Sequence, residues 1–248
     1  MTNRNFTLSE IRSFYSHKKQ DLEKNNLWGY YILRKASFPV TWVFLKLNFS
    51  ANKVTYLSFI FGISGALIIS FGIYFPSLIG ALLINLWALL DYVDGNIARC
   101  TNSSTKHGEF LDSIGGGIIG IFMFICVGIG INNNVNDHFY QLVQFEVAKY
   151  IFIILGILTA LFLIFIEWIG SIYGQIYHTT KKQFFGSSYP LVFKIFFNLV
   201  NISGVLMPLL FFFAIINLLS FFLFFFSFIY GVNSVGVLIF LYSNSRSD

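Results

Sequence analysis

Cysteine is nearly absent from this chain: Cys100 and Cys126 are the only two among 248 residues. One falls at the end of an expected membrane span and the other inside the next. That excludes a disulfide framework, and the pair lacks metal-ligand spacing. Charge is scarce as well, at 11% of residues, while 56% are hydrophobic and 32 are phenylalanine. No soluble domain of this length could hide so much apolar surface, so an integral membrane protein is expected. The first 26 residues are polar and hold no short apolar core with a cleavage site, so no signal peptide is expected. There is no internal repeat and no stretch resembling a soluble catalytic domain. Histidine is sparse too: His17, His138 and His178 lie too far apart in topology to cluster, and His107 reads as a solvated loop residue. The net charge of +5 does not indicate nucleic acid. The basic residues are spread around an apolar body, where they suit membrane topology and anionic headgroups.

What the chain does have is long apolar runs. Residues 1–26 form a polar, partly helical arm. Residues 27–50 mix Trp28, Tyr30, Tyr31 and Trp42 with Arg34, Lys35 and Lys46. That pattern, broken by Pro39, suits a helix lying in the membrane interface. Six spans follow, at roughly 54–74, 77–98, 108–131, 147–172, 202–217 and 220–243, with short connections at 74–76 and 217–220. Residues 179–201, with Lys181, Lys182 and Lys194, read as another interfacial element. The expected fold is therefore all-α and integral to the membrane. It comprises an interfacial amphipathic arm over 1–50 and a six-helix domain over 51–248. With both termini cytoplasmic, 15 of the 16 Lys and Arg fall inside and only Lys149 falls outside. The positive-inside rule demands that orientation, which in a bacterium places the chain in the inner membrane.

The sharpest feature is a pair of carboxylates inside the second span. Residues 76–90 carry no charge, and Asp91 and Asp94 follow three residues apart. An ionisable side chain in a transmembrane helix costs several kcal/mol unless paired, hydrated or bound to a cation. Two at this spacing share a helix face and repel each other, and a divalent cation is the simplest remedy. Asp91 and Asp94 lie eight and five residues before Arg99, which puts them roughly 7–12 Å inside the cytoplasmic end. Asp112 lies six residues after Lys106, at a matching depth on the next helix. Three carboxylates from two helices can thus meet at one level, among the small residues Gly95, Ala98 and Gly108.

The run Asp91-x2-Asp94-Gly95-x2-Ala98-Arg99-x8-Gly108-x3-Asp112 resembles the signature of the CDP-alcohol phosphatidyltransferases, D-x2-D-G-x2-A-R-x8-G-x3-D-x3-D. Seven of its eight fixed positions agree. Asn52-x2-Thr55, at the start of the first span, is similar to that family's P-N-x-x-T entry, with Ala51 in place of proline. The resemblance implies a six-helix membrane transferase, usually a homodimer. Such an enzyme uses Mg²⁺ or Mn²⁺ to move a phospho-alcohol group from a CDP-alcohol donor to an acceptor hydroxyl, releasing CMP. It implies that Asp91, Asp94 and Asp112 hold metal and that Gly95, Ala98 and Gly108 line the nucleotide site. Arg99 would hold phosphate or close the acidic face, and Asn52 and Thr55 would border the nucleotide pocket.

One position departs. The last aspartate of the signature, the general base and further metal ligand of that family, is replaced by Gly116. Two acids could substitute. Glu109 lies one turn before Asp112. Glu167 stands alone in an apolar stretch of the fourth span, where it could instead make a helix–helix hydrogen bond beside Trp168. Gly116 and Gly120 also form a G-x-x-x-G pair suited to close packing or dimerisation. The alternatives to a transferase are a nucleotide- or lipid-binding pseudoenzyme and a cation or proton transporter.

Overall fold

The computed structural model describes residues 6–16, 20, 23–24, 26–133, 137–138, 141, 150–176 and 199–245. Helix α1 (Leu8–Ser13) opens with a capping box in which Thr7 and Glu10 satisfy each other's backbone N–H groups. A π-helical turn, Gly29–Leu33, runs without a break into α2 (Arg34–Lys46). Five long helices and one short one follow: α3 (Ala51–Ile69), α4 (Tyr74–Thr101), α5 (Lys106–Asn133), α6 (Ile151–Ile176), α7 (Met207–Ile215) and α8 (Leu219–Ser245). Among the described residues there is no strand.

Five of these helices are long and apolar enough to cross a bilayer. The expected fifth span, 202–217, takes a shorter form. A π-helical segment, Ile202–Leu206, bends at Gly204 and leads into the nine-residue α7. Side chains such as Ile60, Phe71, Phe75, Phe228 and Ile239 are more than half exposed. In water such a surface would aggregate, whereas facing acyl chains it is ordinary. The chain is an integral membrane protein.

Two expectations built on proline are corrected. Helix α2 runs straight through Pro39. The ring lies on the exposed side, and the carbonyl it leaves without a donor belongs to the equally exposed Lys35, where solvent or headgroups can satisfy it. Pro76 does not sit in a connection either, since α4 already begins at Tyr74. Proline is tolerated in a first turn because the N–H it lacks has no intrahelical partner there. The link between α3 and α4 falls earlier, at 70–73, where Gly72 takes a left-handed φ of +69°.

The helices pack through small residues, as expected where solvent supplies no hydrophobic drive. Gly65 and Gly80 let α3 and α4 touch backbone to backbone, and Gly128 and Gly156 do the same for α5 and α6. Of the expected Gly116/Gly120 pair, Gly120 packs on Leu163 and Ile202 within the chain, while among the described residues a Cβ at Gly116 would meet nothing within 4 Å. The core between the helices holds Ile84, Trp87, Ile119, Phe124, Phe222 and Tyr230. Cys100 and Cys126 are both buried and free. Residues 179–198, including Lys181, Lys182 and Lys194, lie outside the described residues, as do His17, His178 and Lys149.

Candidate active site

Helices α4 and α5 carry the aspartates, and both pack on α3, which lies between them. Asn102 ends α4 in the left-handed conformation, at φ 49°. Three residues later Thr105 starts α5: its hydroxyl accepts from Gly108 N–H at 3.0 Å and its carbonyl from Glu109 N–H at 3.0 Å. The short link returns the chain to the same end of the bundle, where residues 91–99 of one helix and 108–112 of the next line one cavity.

A cavity of about 310 Å³ opens at this end of the bundle. Asp91, Asp94 and Asp112 all line it, together with Gly95, Ala98, Arg99, Gly108, Asn52, Thr55 and Glu109. The volume falls at the small end of ligand pockets. A larger hollow of about 540 Å³ between α6 and α8 is lined by Leu161, Phe162, Trp168, Leu238 and similar residues. Among the described residues its lining holds no charged group.

The small residues differ in how closely their neighbours approach. At Gly108 a Cβ would lie 3.3 Å from Asn52 Oδ1, so a side chain there would crowd α3. The Arg99 guanidinium folds back over Gly95, where a Cβ would come 3.4 Å from Nη1. Asp94 is buried, and its Oδ2 accepts a hydrogen bond from the Thr55 hydroxyl at 2.7 Å. Thr55 therefore orients a carboxylate as well as bordering the pocket. At the rim, Tyr56 Oη and His107 Nε2 are 3.0 Å apart.

The donor set suits a hard divalent cation, because every candidate ligand is a carboxylate oxygen. Asp94 and Asp112 are close enough to feel each other's charge. The carboxylates line one cavity without closing into a ligand shell: among the described residues no three such side chains converge on a single point. An open, acidic arrangement of this kind leaves positions for water and for substrate phosphate.

The cavity also recruits residues that the motif does not predict. Glu23 and Arg34 of the interfacial arm line it, as does Tyr92. Arg34 is buried and sits between the rings of Tyr15 and Tyr92, 4.7 and 4.4 Å from their centroids. Its Nε donates to Glu23 Oε2 at 2.8 Å, and Nη2 forms an ion pair with Oε1. The Tyr15 hydroxyl also donates to Glu23, at 2.7 Å. Burial, aided by that bond, raises the tyrosine above its ordinary range, so it stays protonated. In the sequence Arg34 was legible only as one of several interfacial cations.

With this geometry in view, comparison with known proteins is direct. The sequence profile of the CDP-alcohol phosphatidyltransferases matches residues 48–232. The chain belongs to that family. A curated relative, the bifunctional IPC transferase and DIPP synthase of Aquifex aeolicus (strain VF5), is 35% identical over 81 residues. The match covers 33% of this chain and only 18% of the relative's length.

As a CDP-alcohol phosphatidyltransferase the chain is unusual at Gly116. Among the described residues none lies within 4 Å of where its Cβ would be. The two candidate substitutes are placed differently. Glu109 lines the cavity with the three aspartates. Glu167 does not; it reaches across from α6 to α5, where a Cβ on Gly117 would lie 2.9 Å from its Oε2. Its carboxylate therefore touches the backbone next to the vacant aspartate position.

Proposed function

We propose that this protein transfers a phospho-alcohol group from a membrane-borne CDP-alcohol to the hydroxyl of an acceptor, in phospholipid or related polar-lipid synthesis. The observation that carries the reading is the cavity, which gathers all seven matching signature residues together with Asn52 and Thr55. In this reading the acceptor oxygen forms a bond to the alcohol-bearing phosphorus of the donor. The bridging P–O bond breaks, CMP leaves with the electron pair, and the acceptor proton passes to a carboxylate.

Donor pyrophosphate and an acidic cavity repel each other, so they share the site only with a cation between them. Asp91, Asp94 and Asp112 would hold Mg²⁺ or Mn²⁺, which when bound stabilises charge on the departing phosphate. Thr55 keeps Asp94 aimed into the cavity, Gly95 leaves room for Arg99, and Arg99 meets phosphate. Glu109 stands where it can take a proton from an acceptor entering the rim. Glu167 could serve an acceptor that reaches deeper, toward Gly116. The charge distribution supports cytoplasmic termini and a cytoplasm-facing site, where cytidine nucleotides are found. The family resemblance supports a homodimer.

A binding-only protein is the second reading, and Gly116 favours it, since a glycine neither takes a proton nor holds metal. CMP release by the purified protein separates the two. CDP-diacylglycerol and other CDP-alcohols, offered with a panel of hydroxyl acceptors, should yield CMP in an acceptor-dependent way. If every combination leaves the donor intact while cytidine nucleotides still bind, the pseudoenzyme reading replaces the transferase.

A further inference from the structure

We propose that Asn96 is a positioning residue that fixes the Arg99 guanidinium at the donor cavity and makes the interfacial helix α2 part of the active site. This rests on the reading of Arg99 as a phosphate-facing group. Asn96 occupies one of the signature's unspecified positions, so the motif assigns it no role.

The geometry is that of a fully used amide. Asn96 is buried at 3% exposure in the membrane-embedded α4. Its Oδ1 accepts from Arg99 Nη2 at 2.7 Å and from Arg34 Nη1 at 2.8 Å. Its Nδ2 donates to Ser37 Oγ at 2.9 Å and to Thr41 Oγ1 at 3.0 Å, both buried on α2. Neither hydroxyl depends on the amide for its own proton, because Ser37 donates to the Arg34 carbonyl and Thr41 to the Ser37 carbonyl. Both oxygens are therefore committed as acceptors, which fixes the orientation of the amide. With Nδ2 tied to α2, Oδ1 can only face the two arginines.

A merely structural asparagine would need only one such link between helices. Here a single oxygen is shared by one arginine locked in the arm and one lining the cavity. Arg34 is held by Glu23 and between two rings. Arg99 has no such cage, and Gly95 beneath it offers no side chain to lean on. The hydrogen bond to Asn96 is what keeps its long side chain from sampling other rotamers. Because Glu23 neutralises Arg34, Arg99 supplies the net positive charge that Asn96 holds beside an otherwise acidic cavity, which suits an arriving pyrophosphate.

The test compares Asn96→Leu and Thr41→Val with the unmodified full chain in detergent micelles. Asn96→Leu removes the acceptor; Thr41→Val removes only one of the two oxygens that orient the amide and threatens folding least. Reaction of Arg99 with phenylglyoxal, read by peptide mass spectrometry, reports its restraint without reference to turnover. Modification should speed up severalfold in Asn96→Leu and by less in Thr41→Val. In the CMP-release assay Asn96→Leu should raise the donor KM about tenfold, with kcat little changed, as expected for losing a bond to a charged group. In an Arg99→Ala background the same change should add almost nothing, because Asn96 acts through Arg99. Unaltered Arg99 reactivity in both variants overturns the proposal, and so do KM effects of Asn96→Leu and Arg99→Ala that simply multiply. Should the unmodified protein release no CMP from any donor, the transferase reading fails, and the phenylglyoxal comparison still decides whether Asn96 holds Arg99.

Discussion

Thr55→Val isolates one atom of the candidate site. The hydroxyl donates to Asp94 Oδ2 at 2.7 Å, and each residue is only 6% exposed. Valine keeps the volume and branching of threonine, so the packing of α3 on α4 survives while the hydrogen bond is lost. A bond from a neutral hydroxyl to a buried carboxylate contributes about 1.5–3 kcal/mol. Most of that loss should fall on cation binding, because the hydroxyl sets which way the carboxylate points. Outer partners of metal-binding carboxylates are commonly worth about 10–100-fold in metal affinity. The concentration of Mn²⁺ giving half-maximal CMP release should rise by that factor, with near-normal turnover once metal saturates. Direct Mn²⁺ binding, followed by loss of the free-ion electron paramagnetic resonance signal, should weaken in parallel. Thr55→Ser should restore both. An unchanged Mn²⁺ midpoint in Thr55→Val, with Thr55→Ser equally normal, refutes the assignment of Asp94 as a ligand that Thr55 orients.

Three further outcomes follow from the same geometry. Asp91→Asn, Asp94→Asn and Asp112→Asn should each lower CMP release by ~10²-fold or more, and excess EDTA should abolish it; full activity in EDTA would contradict the acidic cavity as a cation site. In intact cells a membrane-impermeant thiol reagent should label Asn133→Cys and spare Ser103→Cys, since the native Cys100 and Cys126 are buried and 15 of 16 basic residues demand this orientation; the opposite labelling reverses the topology. Glu109→Gln or Glu167→Gln should cut turnover by ~10²-fold or more with donor binding intact, whereas Gly116→Asp should fold normally because no neighbour stands within 4 Å of the new Cβ; if both glutamine variants turn over normally, neither glutamate replaces the missing base.

The legible part of this protein is the part governed by spacing along a single helix. Asp91, Asp94, Gly95, Ala98 and Arg99 share one helical segment, and a short link returns Gly108 and Asp112 to the same depth, with α3 packed on both helices, so their meeting in one cavity follows largely from distances along the chain. Five of the six expected spans were legible from their apolar runs for the same reason, while the run 202–217 gave only a bent, shorter helix. Proline misled at Pro39 and Pro76 because its cost depends on where the unpaired carbonyl points and how far into the helix the ring falls. Neither is written in composition. The Arg34–Asn96 bond joins residues 62 positions apart, and nothing local to either residue announces it. A buried asparagine in a membrane helix was a signal that could have been followed, since such a group must find partners.

Gly116 shows how far a local substitution can be read from the fold around it. A side chain lost to crowding would leave neighbours pressed against the glycine, yet among the described residues none stands within 4 Å of a Cβ at Gly116. Packing therefore does not explain the missing aspartate, and the cavity geometry does not depend on it. What the site lacks is one negative charge one turn beyond Asp112. Two carboxylates flank that gap, Glu109 one turn before Asp112 in the cavity and Glu167 against Gly117. They differ in what they could reach. As the proposed base, Glu109 would meet an acceptor that stays at the water-exposed rim, whereas Glu167 would serve only one that penetrates toward the bundle core. In the proposed reaction the position of the base and the polarity of the acceptor are thus one question, and a water-soluble acceptor would go with Glu109.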